Sequence, residues 1–352
     1  MANSARRPTI IDIAKRADVS FKTVSRVLND HPRVAEELRA RVRAAMHELG
    51  YQPNLAARSL AGRRGYAIAL LVDQHEFYNE GNANAYVAPF LVDLQAGALM
   101  ACREAGYHFF IEPFEPSSAT LLDDLRGQLS RISVDGLVLS PPSADRGALL
   151  DALEAWNMPY VRIAPGVELE RAPSVATDEF GGTVAMTEHL IALGHRRIGF
   201  VSGPDAHIAA GVRVVAYREA LARAAEPLEP IVQAGDFTFA GGLAAGEALL
   251  SRSDRPTAIF AANDFMAAGV VAAANRLGLR VPLDLSIAGF DDSAIARSVW
   301  PPLTTVRQPI RAMAQAAIHY LVELAGERER LPRHVVFPYQ LVVRSTTGPA
   351  PA

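Results

Sequence analysis

The 352-residue chain is half hydrophobic and about one-fifth charged, with a formal net charge of −3 and one cysteine, Cys102. This composition fits a protein of two or three folded domains and excludes a disulfide-stapled scaffold and a thiolate metal cluster. No apolar run approaches the ~18 residues of a membrane span, and the start, MANSARRPTI, lacks an apolar secretory core, so a cytoplasmic location is expected. Residues 1–65 hold 13 Lys/Arg against 6 Asp/Glu, and the remainder holds 22 against 32. A basic module on an acidic body is the arrangement expected when only one end approaches phosphates.

Thr9 to Asn29, TIIDIAKRADVSFKTVSRVLN, reads as two short helices joined by a tight turn. Thr9 and Asp12 fit a capping box, and Ile10, Ile13, Ala14 and Ala17 form one apolar stripe. Asp18 breaks the pattern and Ser20 is a good N-cap for a second helix that turns Val24, Val27 and Leu28 inward. Phe21, Lys22, Ser25, Arg26 and Asn29 then point outward, as a recognition helix requires; a plain helical hairpin with a solvated face is the alternative. A third amphipathic helix, Ala35 to Leu49, places Leu38, Val42, Ala45, Met46 and Leu49 on one face. Gly50-Tyr51-Gln52-Pro53-Asn54 and LAARSLAG follow.

From Tyr66 the pattern alternates strands and helices. Strands are expected at 67–72, 107–111, 136–140, 160–163, 197–202, 231–233, 258–262 and 285–289. Helices are expected at 91–106, 120–130, 146–156, 182–193, 212–224, 239–250 and 264–277. Repeated β-α units imply parallel sheets covered on both faces, and two series imply two subdomains. Cys102 reads as a small apolar residue buried in a helix.

TIIDIAKRADVS, TVSRVLN, LGYQPN and ARSLAG, in that order and spacing, resemble the DNA-binding headpiece of the LacI/GalR family of bacterial transcription regulators. HLIALGHRRIGFVSGP, RPTAIFAANDFMAAG, LRVPLDLSIAGFDD, PPLTTVRQP and LVVRSTTG resemble that family's core, which is similar in fold to periplasmic sugar-binding proteins. The resemblance implies an α/β protein with an N-terminal helix-turn-helix headpiece and a two-subdomain, periplasmic-binding-protein-like core with parallel sheets. The headpiece would span 1–53, the hinge helix and linker 54–65 and the effector-binding core 66–352. The N-subdomain would comprise about 66–164 and 293–325, and the C-subdomain about 165–292 and 326–348. The chain would thus cross between them near Ala164, near Asp292 and after Ala325.

By position in the family motif, Phe21, Lys22 and Arg26 would meet base edges: guanine O6/N7 for the cations, a thymine methyl for Phe21. Packing of Phe21 against the first helix is the alternative. Thr23, Ser25 and Asn29 suit phosphates, with Thr9, Ser20, Tyr51 and Asn54 completing the DNA-binding set. The resemblance makes Leu60 a wedge between central bases, with Ala57 beside it; the alternative is a linker residue packed on the core. Arg58, Arg63 and Arg64 would add phosphate contacts.

In the core, the same correspondence points to Phe237 as an aromatic platform and to Asn263, Asp264 and Asp291 as polar effector contacts. An N-cap role is the alternative for Asp264. Three departures from the family pattern are visible. Gly211 stands where an arginine is common, with Arg213 two residues on; Ala164 stands where many members have a crossover aspartate; and DQHEFYNEGNANAYVAPF replaces a shorter loop. Arg213 is placed among the effector contacts, and Tyr86, Asn84 and Arg162 are expected to replace the lost ones.

A sugar or glycoside is the leading effector, and the missing charged contacts favour a larger one, such as a disaccharide or aryl glycoside. A nucleobase or other small metabolite, acting even as co-repressor, is the alternative. The chain closes on TTGPAPA without a heptad-bearing helix, so a homodimer on a pseudo-palindromic operator is expected. No cofactor, metal or membrane partner is expected. An enzyme is disfavoured, since the chain lacks the P-loop, dinucleotide, nucleophile-elbow and H-E-x-x-H patterns. A soluble binding protein without a DNA role is the more remote rival.

Overall fold

A computed structural model describes residues 8–28, 33–51, 64–74, 89–326 and 332–351. The chain divides into two compact units, Met1–Gly65 and Tyr66–Ala352.

The first unit holds α1 (Ile10–Ala17), α2 (Phe21–Leu28) and α3 (Glu36–Glu48). The capping box forms: Thr9 N donates to Asp12 Oδ2 at 2.7 Å, and Asp12 N donates to Thr9 Oγ1 at 3.4 Å. Asp18 ends α1 in the left-handed region, φ 50. Arg41, reaching from α3, donates to the carbonyls of Ala17 at 2.6 Å and Asp18 at 2.8 Å. A cation on the last carbonyls of a helix satisfies orphan acceptors and opposes the negative end of its dipole. Ser20 Oγ accepts from Thr23 N at 3.1 Å, starting α2. Ile13, Val24 and Val42, one from each helix, are fully buried at the centre. Helices of 8 residues cannot persist alone, so this shared core is what makes them helical.

The second unit begins with β1 (Ala67–Asp73), α4 (Pro89–Ala105), β2 (His108–Phe114), α5 (Leu121–Ile132), β3 (Gly136–Leu139), α6 (Gly147–Ala155), β4 (Tyr160–Ile163) and β5 (Ser174–Thr177). It continues with α7 (Glu179–Ala192), β6 (Ile198–Ser202), α8 (Ile208–Ala222), β7 (Ile231–Ala234), α9 (Phe239–Leu250), β8 (Ala258–Ala261), α10 (Asp264–Arg276) and β9 (Ser286–Asp291). Last come α11 (Ala294–Ser298), β10 (Thr304–Arg307), α12 (Ile310–Gly326), β11 (His334–Phe337) and β12 (Gln340–Val342). Every residue of β1, β3, β4 and β8 is buried, the signature of strands covered on both faces.

Two six-stranded sheets result, ordered β11-β5-β4-β3-β1-β2 and β12-β10-β9-β8-β6-β7. All pairings are parallel except β10 with β12. The expected α/β architecture, a helix-turn-helix unit followed by two parallel-sheet subdomains, is therefore what forms.

The crossings lie elsewhere than expected. After Ala164 the chain stays in the first subdomain, because β5 pairs with β4 (Ile163 opposite Val175). After Asp292 it stays in the second, because β10 pairs with β9 (Thr305 opposite Gly289). After Ala325 it remains in the first, because β11 pairs with β5 (Val335 opposite Val175). The three crossings fall at Asp178, at Gln308–Pro309 and at Pro338–Tyr339. The first subdomain thus comprises about 66–177 and 310–337, and the second about 179–307 and 340–348. Helix α12 returns to the first subdomain against α4, where a Cβ on Gly97 would lie 2.3 Å from the Arg311 carbonyl oxygen. Only glycine admits that approach. Cys102 is buried in α4, as expected.

Candidate functional site

Within the first unit, the residues proposed for DNA sort by exposure. Phe21 is 55 % exposed and lines a shallow pocket with Ile11, Ala14 and Lys15 of the first helix, while Lys22 and Arg26 are exposed on the same helix as Phe21. Thr23 and Ser25 are half-buried, and the Thr23 and Ser20 hydroxyls pair at 2.9 Å. Tyr51 is half-buried against the small core and donates its amide to Met46 O at 2.9 Å. Its ring closes the bundle, and burial pushes its phenol upward. Thr9 is occupied by the capping box. Asn29, Asn54, Ala57, Arg58, Leu60 and Arg63 lie outside the described residues, as do Asn84 and Tyr86.

In the second unit a cavity of about 350 Å³ opens between the subdomains. Its walls come from strand ends: Asp73 closes β1, Ala164 follows β4, Asn263 follows β8 and Asp291 closes β9. The carboxyl ends of parallel strands, where the sheet order reverses, are where such folds bind ligands.

Phe237 forms part of the wall and is held from several sides. Its backbone takes φ 65, and Asn263 Nδ2 donates to its carbonyl at 2.9 Å. His207 meets its ring edge-on, with centroids 5.2 Å apart. A Cβ on Gly203 would sit 2.2 Å from the ring, so the absence of that atom makes room for it. Asn263 also caps α10, its Oδ1 accepting from Met266 N at 2.8 Å. It lines the cleft and positions Phe237.

Arg213 fills the place that Gly211 was expected to leave empty. It is buried, and its Nε donates to Glu179 Oε2 at 3.0 Å. One Nη donates to the Ala262 carbonyl, and the guanidinium carbon lies 3.9 Å from the Phe290 ring centroid. Gly211 faces outward one turn position away, with nothing within 4 Å of an added Cβ. The cleft wall therefore has an arginine, supplied from position 213 rather than 211, with its charge paired to Glu179. The departure at Ala164 stands: Ala164 lines the cavity, and Asp178 at the first crossing lies outside the lining and caps α7, its Oδ1 accepting from Gly181 N at 2.8 Å.

Asp291 sits at φ 117 with Gln308 Nε2 donating to its Oδ1 at 2.7 Å. Burial pushes its carboxyl up to about 7, while the Arg213 charge and the Gln308 hydrogen bond pull the other way. A carboxylate in this position can accept ligand hydroxyls.

Two expected effector residues do not reach the cavity. Asp264 is buried behind it and serves neither as ligand nor as N-cap. Its Oδ2 accepts from Ser293 N at 2.7 Å and Ser293 Oγ at 3.0 Å, and its Oδ1 accepts from Thr305 Oγ1 at 2.5 Å. Burial, then the nearby Asp291 charge, raises this carboxyl well above the usual range. It ties β10 and the start of α11 to α10. Arg162 is also fully buried. It donates to the carbonyls of Ala144 at 2.6 Å, Val167 at 2.6 Å and Glu168 at 2.8 Å, and to Asp145 Oδ1 at 2.7 Å. Its task is to pin the 164–171 loop.

Sequence reasoning missed Asp73, Phe90, Glu179, His207 and Asp236, all of which line the cavity. The carboxyl-end rule alone could have found Asp73, the polar residue that closes an apolar strand. Among the described residues no helix is long and apolar enough to cross a membrane.

A helix-turn-helix unit joined to a two-lobed core with a ligand-sized cleft defines a ligand-responsive DNA-binding regulator. The comparisons agree. Residues 9–54 match the bacterial regulatory proteins of the lacI family, and residues 187–347 match the periplasmic binding protein-like domain. The HTH-type transcriptional regulator CelR of Thermobifida fusca is 36 % identical over 97 % of this chain and 98 % of its own length. The lactose operon repressor of Escherichia coli is 30 % identical, covering 96 % and 90 %. Among solved structures, the CelR–cellobiose complex superposes with a TM-score of 0.70 at 34 % identity, covering 97 % of this chain and 100 % of that one. The lac repressor dimer bound to operator and the anti-inducer ONPF gives 0.73 at 30 %, with the same coverage. The chain belongs to the LacI family, and it is a transcriptional regulator rather than an enzyme.

Proposed function

We propose that the protein is a homodimeric, cytoplasmic repressor of a carbohydrate-utilisation operon, released from a pseudo-palindromic operator by a sugar or glycoside. The observation that carries the effector reading is the cleft itself. A guanidinium and a carboxylate, Arg213 and Asp291, stand beside the Phe237 ring in a cavity of about 350 Å³. Polar groups that bind hydroxyls, set against an aromatic face that takes C–H surface, suit a pyranoside. Rings on both lobes, Phe90 opposite Phe237 and His207, favour a ligand of two units. The bound cellobiose of the CelR relative supports the same class.

On DNA, Phe21, Lys22 and Arg26 read bases in the major groove while neighbouring side chains and backbone hold phosphates. The headpiece of 1–53, the hinge of 54–65 and the wedge role of Leu60 belong to this proposal.

Coupling runs through the crossings. Gln308, at the second crossing, holds Asp291, and Glu179, one residue past the first, holds Arg213. A ligand engaging Asp291 and Arg213 therefore acts on two of the three segments that join the subdomains. It shifts their relative arrangement by no more than its difference in affinity for the two states. A thermal-shift screen of disaccharides, aryl glycosides and nucleobases, followed by operator release measured by fluorescence anisotropy, tests the reading. Stabilisation and release by a glycoside, both lost in Asp291→Ala, are expected. Stabilisation by nucleobases alone refutes the carbohydrate assignment.

A further inference from the structure

We propose that the cleft selects uncharged, hydroxyl-rich ligands over their phosphorylated forms, and that Glu179 sets this preference. The inference rests on the carbohydrate reading above and narrows it to a chemical class.

Among the described residues, four carboxylates line the cavity, Asp73, Glu179, Asp236 and Asp291, against a single guanidinium, that of Arg213. That guanidinium is already engaged. Its Nε donates to Glu179 Oε2 at 3.0 Å, and the two side chains are only 6 % and 11 % exposed. Its Nη1 donates to the Ala262 carbonyl, and its flat face lies against Phe290. Clasping a phosphate takes two parallel N–H donors on one edge of an arginine, together with its uncompensated charge. Glu179 takes up both the Nε donor and the charge.

Arg213 Nη2 and Asp291 Oδ2 remain without a hydrogen bond among the described residues. One donor and one acceptor on neighbouring side chains complement a pair of ligand hydroxyls. A phosphate brought to the same place meets a wall of its own sign. A like charge roughly 7 Å away in such a site weakens binding by about tenfold or more. The upward shift of Asp291 lessens its share of this repulsion near neutral pH, which leaves Glu179, paired with Arg213, as the group that cancels the attraction.

The test measures binding to the full-length protein by calorimetry, with cellobiose, maltose and lactose and the 6-phosphate monoester of each. At least one neutral disaccharide is expected to bind, with its phosphate ester weaker by roughly tenfold or more. Glu179→Gln keeps an acceptor for Arg213 Nε and removes the charge, so it should narrow that ratio to within about threefold. Asp236→Asn, on an exposed residue, serves as a second charge test and should narrow the ratio by about twofold even where Glu179→Gln fails to fold. A phosphate ester that binds as well as its parent sugar, or a ratio unmoved by both variants, overturns the proposal and leaves the carbohydrate reading standing. Failure of all six sugars to bind overturns both.

Discussion

Replacing Arg162 separates a structural from a ligand-binding role for the most deeply buried cation in the core. Its side chain is 0 % exposed and makes four hydrogen bonds, three to backbone carbonyls and one to Asp145. Asp145 in turn accepts from the amides of Gly166 at 3.0 Å and Val167 at 3.3 Å, so the pair closes the 164–171 loop from both sides. Arg162→Ala removes the cation, strands a nearly buried carboxylate and leaves three carbonyls without their donor. Breaking a buried pair from one side costs about 3–5 kcal/mol, because an uncompensated charge remains. At roughly 2 °C per kcal/mol for a core of this size, the melting temperature should fall by about 6–10 °C. Differential scanning calorimetry of the full-length protein reads the loss, and calorimetric titration well below the transition reads ligand affinity. The expected result is a large stability loss with affinity changed less than about threefold, since Arg162 does not line the cavity. Wild-type stability with ligand binding abolished would refute this reasoning and restore Arg162 as an effector contact.

Asp291 makes the core sensitive to pH. Burial pushes its native carboxyl up to about 7, whereas the unfolded value is about 3.9, so between these values the folded state holds a proton that the unfolded chain lacks. Stability should therefore fall as pH rises through that window, by on the order of 3–4 kcal/mol. Asp291→Asn should flatten that slope and leave the apo core more stable than wild type at pH 8; identical slopes in urea titrations would count against the assignment. Gln308→Leu removes the bond from the second crossing to Asp291, so ligand should still bind while operator release weakens by about 1–2 kcal/mol of coupling. Release at wild-type ligand concentrations in an anisotropy titration would exclude Gln308 from the coupling. Thr9→Ala breaks the capping box and should destabilise the first unit by about 1 kcal/mol, read by hydrogen exchange of the α1 amides. A change confined to operator affinity would instead place Thr9 on the DNA.

Local pattern determined most of the elements. Thr9 and Asp12 announce α1, Ser20 announces α2, and the fully apolar runs of β1 and β8 require a sheet buried on both faces. These signals survive folding because each depends on neighbours a few residues away. Strands β5 and β10 gave no such signal. SVAT and TTVR are four residues each with little apolar contrast, and they become strands because β4 and β9 present open edges to them. With β5 and β10 unassigned, and β11 and β12 after them, the expected crossings sat at the ends of the strands that the pattern shows.

The site divides the same way. Phe237, Asn263 and Asp291 were found because residue type and motif position coincide with strand ends and the adjoining turns. Arg213, Asp264 and Arg162 could be ranked only once the helices were placed. Two residues along α8 turn an outward-facing glycine position into a cleft-lining arginine, since each residue advances a helix by about 100°. A buried charge is structural or functional according to what surrounds it: Arg162 is closed in by carbonyls and Asp264 by hydroxyls and an amide, while Arg213 opens on the cavity. Those partners lie up to 49 residues away along the chain, and only the packed tertiary structure brings them together.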